Sequence, residues 1–201
     1  VPRLAAPEAV AAPVGRYRLA IVDAPRPLNG HTRFAGRRFA VAGSEPLAGA
    51  VAARLAAEGC QLAPGTPIDG LIDTSLLAPA TDPVAALRAL YERARDAAAA
   101  GARHLVVATA CGPFDGRAGG IGGAAGLVKT LALEWPELTA RVVDVDPSLD
   151  AAVLGALLVG ELHATDPHLE IGYAGEKRQT LEVVEAPRAA TAPTALGAGD
   201  V

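Results

Sequence analysis

The sequence predicts an α/β protein in which helices cover both faces of a doubly wound, mostly parallel sheet. Between residues 37 and 163, short apolar segments alternate with amphipathic segments. Several of the short segments are apolar throughout, which is typical of strands buried on both faces. Glycine, proline or aspartate marks most boundaries between segments. This alternation favours parallel strands joined by right-handed crossovers.

Composition supports one folded domain and argues against two classes of partner. The 201 residues fit a domain of ordinary size, and 51% are hydrophobic, which is enough to offset chain entropy. A net charge of -4 lacks the basic surface that nucleic acid requires. We find neither an apolar run near ~20 residues nor a signal layout, so we expect no membrane association. Because the two cysteines are interpreted as core residues without a disulfide, we expect a cytoplasmic location. The start at Val1 instead of Met suggests a piece of a longer chain.

The first half of the chain is predicted to contain four strands and two helices. Gly59 suits the end of the first helix because glycine tolerates a left-handed cap. Asp82 and Pro83 suit the start of the second, as a cap and a first helical residue. The predicted strands are 17–22, 38–42, 60–63 and 70–77, and the predicted helices are 50–58 and 83–101.

The second half is predicted to continue the alternation and to end in a hairpin. Its strands are 104–110 and 139–145, its helices are 124–135 and 151–163, and its hairpin strands 170–173 and 180–184 flank Ala174-Gly175-Glu176. We expect the flanking strands 17–22 and 170–184 to extend one edge of the sheet. Residues 1–15 and 186–201 are rich in Ala and Pro and are predicted linkers, which leaves 16–185 as the domain.

The turn after the strand 38–42 is where a doubly wound sheet would hold a dinucleotide, because helix amides there bind the pyrophosphate. Gly43 and Gly49 are suitable, but a branched Leu47 stands between them and the carboxylate of Glu45 is nearby. Both oppose phosphate contact. The pattern favours a degenerate turn that serves helix packing, although the two glycines leave a modified site open.

A second requirement of a dinucleotide site is also missing from the sequence. Residues 62–67 contain no ionic side chain to hold the ribose or its phosphate. Asp73 near the end of a strand is more consistent with a turn hydrogen bond than with ligand binding.

Other polar residues favour structural interpretations. His163 and His168 flank Asp166-Pro167 without a third metal ligand nearby, which indicates a solvated loop and no metal site. Cys60 and Cys111 are interpreted as core residues without a disulfide, and Cys111 lacks a placed histidine that would activate it. Lys129 is interpreted as a solvated charge. Trp135 before Pro136 is interpreted as a packing anchor at a helix end.

One long string carries a family resemblance. Residues 122–136, GGAAGLVKTLALEWP, are followed at 141–147 by RVVDVDP. Together they resemble the ketoreductase region of bacterial type I polyketide synthases and polyunsaturated-fatty-acid-like synthases, within the short-chain dehydrogenase/reductase superfamily. The resemblance extends over residues 16 to about 185. It implies a Rossmann-like fold.

Such ketoreductases contain two Rossmann-like halves, a truncated structural subdomain and a catalytic half that binds NADPH. In this alignment the catalytic Tyr position falls near Arg117, and the Lys or Asn position near Ile121. The catalytic Ser position falls at about Thr109 or Cys111. Residues 112–126 contain no Tyr or Lys. The resemblance therefore implies no catalytic residue, no bound cofactor in this piece, and NADPH in a half located elsewhere.

The hairpin supports the same assignment. Residues 172–178 are similar to the Gly-Tyr-x-x-Gly-x-Arg hairpin that closes the structural half in the family, with one offset. The first hypothesis is thus a non-catalytic structural subdomain whose partner is the catalytic half or a neighbouring synthase domain. An active NADPH-dependent β-ketoacyl reductase with unconventional residues and a stand-alone scaffold or docking domain stay open as alternatives.

Overall fold

The computed structural model describes residues 16–27, 34–62, 67–110, 112, 114 and 122–186. The predicted linkers 1–15 and 186–201 lie outside these ranges, except for Ala186. The chain divides into two compact units. The larger is Ile21–Leu181, and the smaller combines the segments before and after it. Within the smaller unit, the amide of Ala186 donates to the carbonyl of Arg16 over 2.8 Å.

The sheet has eight strands in the order β1-β8-β7-β6-β5-β4-β2-β3. Neighbours from β3 to β7 are parallel, whereas β7 and β8 are antiparallel. The predicted doubly wound, mostly parallel sheet is confirmed, with β1 and the hairpin at one edge. The strands are β1 Tyr17–Asp23, β2 Arg38–Ala42, β3 Gln61–Leu62, β4 Gly70–Asp73, β5 His104–Thr109, β6 Thr139–Asp144, β7 Glu170–Ala174 and β8 Lys177–Glu185.

Four helices connect the strands: α1 Leu47–Ala57, α2 Pro83–Ala99, α3 Gly123–Glu134 and α4 Ala151–Leu162. Three boundaries differ from the predictions by three residues or more, and one of them is the start of β8, at Lys177 instead of 180. Helix α1 begins three residues before the predicted Ala50, directly after Pro46. The predicted strand 70–77 ends at Asp73, because Ser75–Leu77 form a 3₁₀ turn in which the amide of Leu77 bonds the carbonyl of Thr74.

Each face of the sheet contributes to a separate apolar core. On one face, α1 and α4 pack over residues that include Phe39, Ile72 and Val143. On the other, α2 and α3 pack over Leu71, Leu105 and Val142. Alternate residues of one strand therefore enter opposite cores, which explains why the central strands are apolar throughout. Among the described residues, no helix is long and apolar enough to cross a membrane.

Candidate functional site

The strand order reverses at β2. From β2 the chain proceeds through α1 to β3 on one side, and then crosses to β4 on the other. In parallel α/β sheets, ligands bind at the carboxyl ends of the two strands that flank such a reversal. The residues that follow β2 and β4 therefore form the candidate site, and they include the predicted turn with Gly43, Leu47 and Gly49.

Gly43 is a backbone requirement of this turn. Its φ is +141°, and a Cβ at this position would collide with the hydroxyl of Thr74. Thr74 is held in place because its amide and hydroxyl both donate to the carbonyl of Ala42, over 2.7 and 3.1 Å. Gly43 thus allows the turn after β2 to approach the end of β4, and this packing accounts for the glycine without a ligand.

The first turn of α1 is bound by a side chain of the protein itself. The amide of Gly49 donates to Oε2 of Glu45 over 3.1 Å. A Cβ at position 49 would lie only 2.5 Å from that same oxygen, so Gly49 makes room for the carboxylate. The first amides of a helix attract anions because they have no partner within the helix. Glu45 supplies a negative charge where a pyrophosphate would otherwise bind.

Apolar side chains line most of the crevice. The cavity has a volume of about 230 Å³, and its walls include Leu47, Leu77, Leu149 and Leu154. Among the described residues that line it, only Ser44 and Thr74 carry a hydroxyl group, and only Glu45 carries a charge. Small-molecule sites usually have roughly 300–1,000 Å³. The crevice therefore combines a small volume with a carboxylate at the helix start.

Asp73 at the end of β4 makes the turn hydrogen bond that its position predicts. Its side chain is fully buried, and Oδ1 accepts from the amide of Ser75 over 2.9 Å. The guanidinium of Arg93 in α2 donates to Oδ2 over 2.7 Å and to the hydroxyl of Ser75 over 2.6 Å. Asp73 is thus committed to joining β4, the 3₁₀ turn and α2.

Thr109 at the end of β5, one of two positions predicted for a catalytic serine, is also committed to an internal contact. Its side chain is buried, and its hydroxyl donates to Oδ1 of Asp144 over 3.1 Å. The amide of Gly112 donates to Oδ2 of the same carboxylate over 3.1 Å. This arrangement joins the ends of β5 and β6. The other predicted positions, Cys111, Arg117 and Ile121, lie outside the described residues.

A buried ionic network, which sequence reasoning missed, lies beside the hairpin. Glu161 of α4 is 1% exposed, and its carboxylate accepts from Arg178 of β8 at 2.8 and 2.9 Å and from the hydroxyl of Tyr173. Arg178 also donates to Asp166 over 3.0 Å. Arg141 of β6 donates to Asp166 as well, over 3.0 Å. The signal in the sequence that could have revealed the network was a single glutamate, Glu161, among the apolar residues of α4.

This network affects the proton affinity of its members. Burial and the neighbouring Glu161 raise the pKa of Tyr173 above its ordinary value. The pKa of Asp166 is lowered because hydrogen bonds and charges from Arg141 and Arg178 outweigh the effect of its burial. Tyr173 therefore keeps its proton at neutral pH.

His163 does not lie in a solvated loop: it ends α4, its Nε2 is 2.6 Å from Oε2 of Glu58, and its ring lies 5.1 Å from that of Phe34. Lys129 is half exposed and forms an ion pair with Glu170. Trp135 follows the end of α3 and packs against the second core, as its interpretation as an anchor requires.

Within the described ranges, no cluster of three or more potential ligands could hold a metal ion. Cys60 is buried and has no disulfide. Burial, followed by the charge of Glu58, raises the pKa of its thiol and makes the reactive thiolate harder to form.

No family model matches the chain, and no curated protein matches it by sequence. Solved structures do match. A-type ketoreductases from a modular polyketide synthase align with a TM-score of 0.63 and 20% identity, over 87% of this chain and 43% of theirs. A C2-type ketoreductase from a modular polyketide synthase aligns with a TM-score of 0.62 and 19% identity, over 90% of this chain and 46% of its own. A Serratia marcescens short-chain dehydrogenase/reductase variant aligns with a TM-score of 0.53 and 17% identity, over 70% of this chain and 97% of its own.

These likenesses establish the fold, a Rossmann-like sheet of the kind found in ketoreductases and short-chain dehydrogenases. The chain spans less than half the length of the two ketoreductase structures. It also aligns with nearly the whole length of the dehydrogenase chain. The likeness therefore shows the fold and assigns no role to this chain.

Proposed function

We propose that this chain is a non-catalytic structural subdomain of a ketoreductase region in a polyketide or polyunsaturated-fatty-acid-like synthase. In this role it packs against and supports a catalytic, NADPH-binding half located elsewhere in the parent chain. It binds no dinucleotide itself. The likeness to ketoreductase structures supports the region, and the residues of the crevice support the non-catalytic role.

The observation that carries the proposal is the contact between Glu45 and Gly49. A dinucleotide needs the amides at the start of α1 for its pyrophosphate, and here Glu45 already accepts from one of them. Binding would have to displace the carboxylate or place two negative groups side by side. Leu47 opposes close approach in the same turn, since a branched side chain lines the cavity there.

The end of β5 supports the same role. A reductase of this family would use a serine hydroxyl near this point to hold the substrate carbonyl. The hydroxyl of Thr109 instead donates a hydrogen bond to Asp144, and this buried contact joins β5 to β6. The buried tyrosine of the described residues, Tyr173, has a raised pKa and bonds Glu161, which makes it a poor proton donor.

The test is a titration of the purified chain with NADPH, followed by calorimetry and by the fluorescence of Trp135. We expect no saturable binding up to millimolar cofactor. A catalytically active ketoreductase domain measured in parallel shows that the assay detects binding, and circular dichroism shows that the chain is folded. Saturable binding at micromolar NADPH would contradict the proposal and favour an unconventional reductase.

Two further arms sharpen this test. Glu45→Gln removes the charge but keeps an acceptor for Gly49, and we expect it to stay without micromolar affinity because Leu47 still fills the turn. Co-expression with the remainder of the parent chain should yield a complex that binds NADPH. A complex that forms without gaining NADPH binding would instead favour the scaffold alternative.

A further inference from the structure

A second, larger cavity lies beside the β7–β8 hairpin. Its volume is about 520 Å³, within the range of roughly 300–1,000 Å³ that is usual for small-molecule sites. None of its lining residues lines the crevice at β2. Pro25 and Leu157 provide apolar wall, whereas the charged lining residues are Asp23, Arg26, Glu176, Lys177 and Arg178.

The buried network behind this cavity has more cations than anions. Its three guanidinium groups belong to Arg26, Arg141 and Arg178, and its two carboxylates belong to Glu161 and Asp166. Tyr173 stays neutral. One positive charge is thus left over within the network, and buried or half-buried charges favour a nearby counterion.

Arg26 is the arginine with the weakest compensation. Arg178 approaches Glu161 to 2.8 Å, but Arg26 comes only to 3.4 Å of the same oxygen. Its one close bond is to the neutral hydroxyl of Tyr173, at 2.9 Å. Its Nε is buried without a hydrogen-bond partner in the described chain, and its side chain is 32% exposed.

The position of Arg26 is defined by packing. Its guanidinium lies directly against the backbone of Gly160 in α4, where any Cβ would collide with it. The group is therefore held at the cavity wall before a ligand arrives, which lowers the entropy cost of binding. The part of this guanidinium that stays exposed can donate charge-assisted hydrogen bonds to a carboxylate or phosphate.

We propose that this cavity binds a small organic oxyanion, a phosphate monoester or a carboxylate, through Arg26. Arg26 would neutralise the anionic group while Pro25 and Leu157 contact the apolar part of the ligand. This inference does not depend on the proposed structural role, since it involves none of the residues of the crevice.

Two carboxylates also line the cavity, and they affect the binding of an anion differently from Arg26. Asp23 is paired with Lys177 over 2.8 Å, so that pair contributes little net charge. Glu176, in the exposed hairpin turn, lines the same cavity. Its carboxylate should repel an anionic ligand. Removal of Arg26 should thus weaken binding, and removal of the Glu176 charge should strengthen it.

The experiment is calorimetric titration of the whole chain with phenyl phosphate, benzoate and inorganic phosphate. We expect saturable binding of phenyl phosphate or benzoate that weakens with added salt. Their comparison identifies the anionic group, and inorganic phosphate shows how much the apolar body adds. Arg26→Gln should weaken binding about tenfold or more, as expected for a charge-assisted hydrogen bond. Glu176→Gln should tighten it about twofold to fivefold.

Arg95→Ala is the matched control, because Arg95 is an exposed arginine in α2 that pairs with Asp96 and does not line the cavity. It should leave binding unchanged. Absence of saturation with all three probes, in both the original chain and Glu176→Gln, would overturn the proposal. Binding that Arg26→Gln leaves unchanged would overturn it too. If Arg26→Gln fails to fold, the Glu176→Gln comparison still decides, since weaker or equal binding contradicts the proposal.

Discussion

Glu161 accepts hydrogen bonds from Tyr173 and Arg178, so that a buried cluster joins α4 to the β7–β8 hairpin. Tyr173 and Arg178 lie in the hairpin whose motif resembles the family, but that motif did not predict the buried network to which both belong. Glu161 did not stand out in the same way, because it occurs in an otherwise apolar helix and meets Arg178 only after folding. Burying these charges together is costly, so each depends on its partners for compensation.

His104 leads to a prediction of pH-dependent stability. Burial, assisted by the charge of Arg37, lowers the pKa of His104 below its ordinary 6.5, although Asp69 opposes this effect. The folded state therefore takes up a proton less readily than the unfolded chain. The neutral side chain of His104 therefore contributes its full stabilisation above about pH 6.5, and this stabilisation is lost as the pH falls through the lowered pKa.

We expect His104→Gln to flatten the pH dependence of stability between about pH 7 and about pH 5, where histidines titrate. Urea unfolding of both proteins at several pH values measures this difference. Edge contact between the rings of His104 and Phe34, at 5.1 Å, predicts some loss of stability at every pH. Parallel pH profiles for the two proteins would show that His104 does not cause the effect.

At the scale of elements, helices α2 and α4 begin where the sequence predicted, and an aspartate side chain caps each of them. Asp82 accepts from the amide of Ala85 over 3.0 Å at the start of α2. Asp150 accepts from Ala152 over 2.7 Å at the start of α4. The start of α1 lies three residues before the predicted one, and Pro46, which precedes it, makes no side-chain cap. Its helix amide is bound by Glu45 from outside the helix.

The cap of α4 can be tested by a pair of substitutions. Asp150→Ala removes the acceptor for Ala152 and should lower the free energy of unfolding by about 1 kcal/mol. Asp150→Asn keeps a side-chain oxygen and should cost much less. Chemical denaturation of both variants gives the comparison. Equal losses for Ala and Asn would mean that the charge, and not the cap, stabilises this helix.

For the whole molecule, the position of each strand in the sheet predicts its protection from hydrogen exchange. Strands β5 and β6 lie between neighbours, and almost all of their residues are buried. β3 lies at the edge and both of its residues are exposed. Amides in buried central strands exchange only through large-scale opening, whereas edge amides exchange through local opening.

Mass spectrometry of exchanged peptides measures this protection. We expect the slowest exchange in peptides that contain 104–109 and 139–144, and fast exchange at 61–62. A central strand that exchanges as rapidly as β3 would indicate that the sheet does not open as one cooperative unit. This measurement requires neither a ligand nor a substitution.

By itself, the sequence determined the type and order of the elements and the edge at which β1 and the hairpin pair. These features follow from local hydrophobic periodicity and from turn residues, which act over a few positions. It also showed the unusual Leu47 and Glu45 in the phosphate turn, because that turn is one continuous segment.

Only the tertiary structure decided which polar groups meet. Thr109 and Asp144 are 35 positions apart, and Arg26 and Glu161 are 135 apart. Each pair depends on how strands and helices pack, which local patterns do not encode. The tertiary structure therefore decided that the hydroxyl of Thr109 bonds a buried carboxylate and that Arg26 carries a poorly compensated charge, because folding brings these distant segments together.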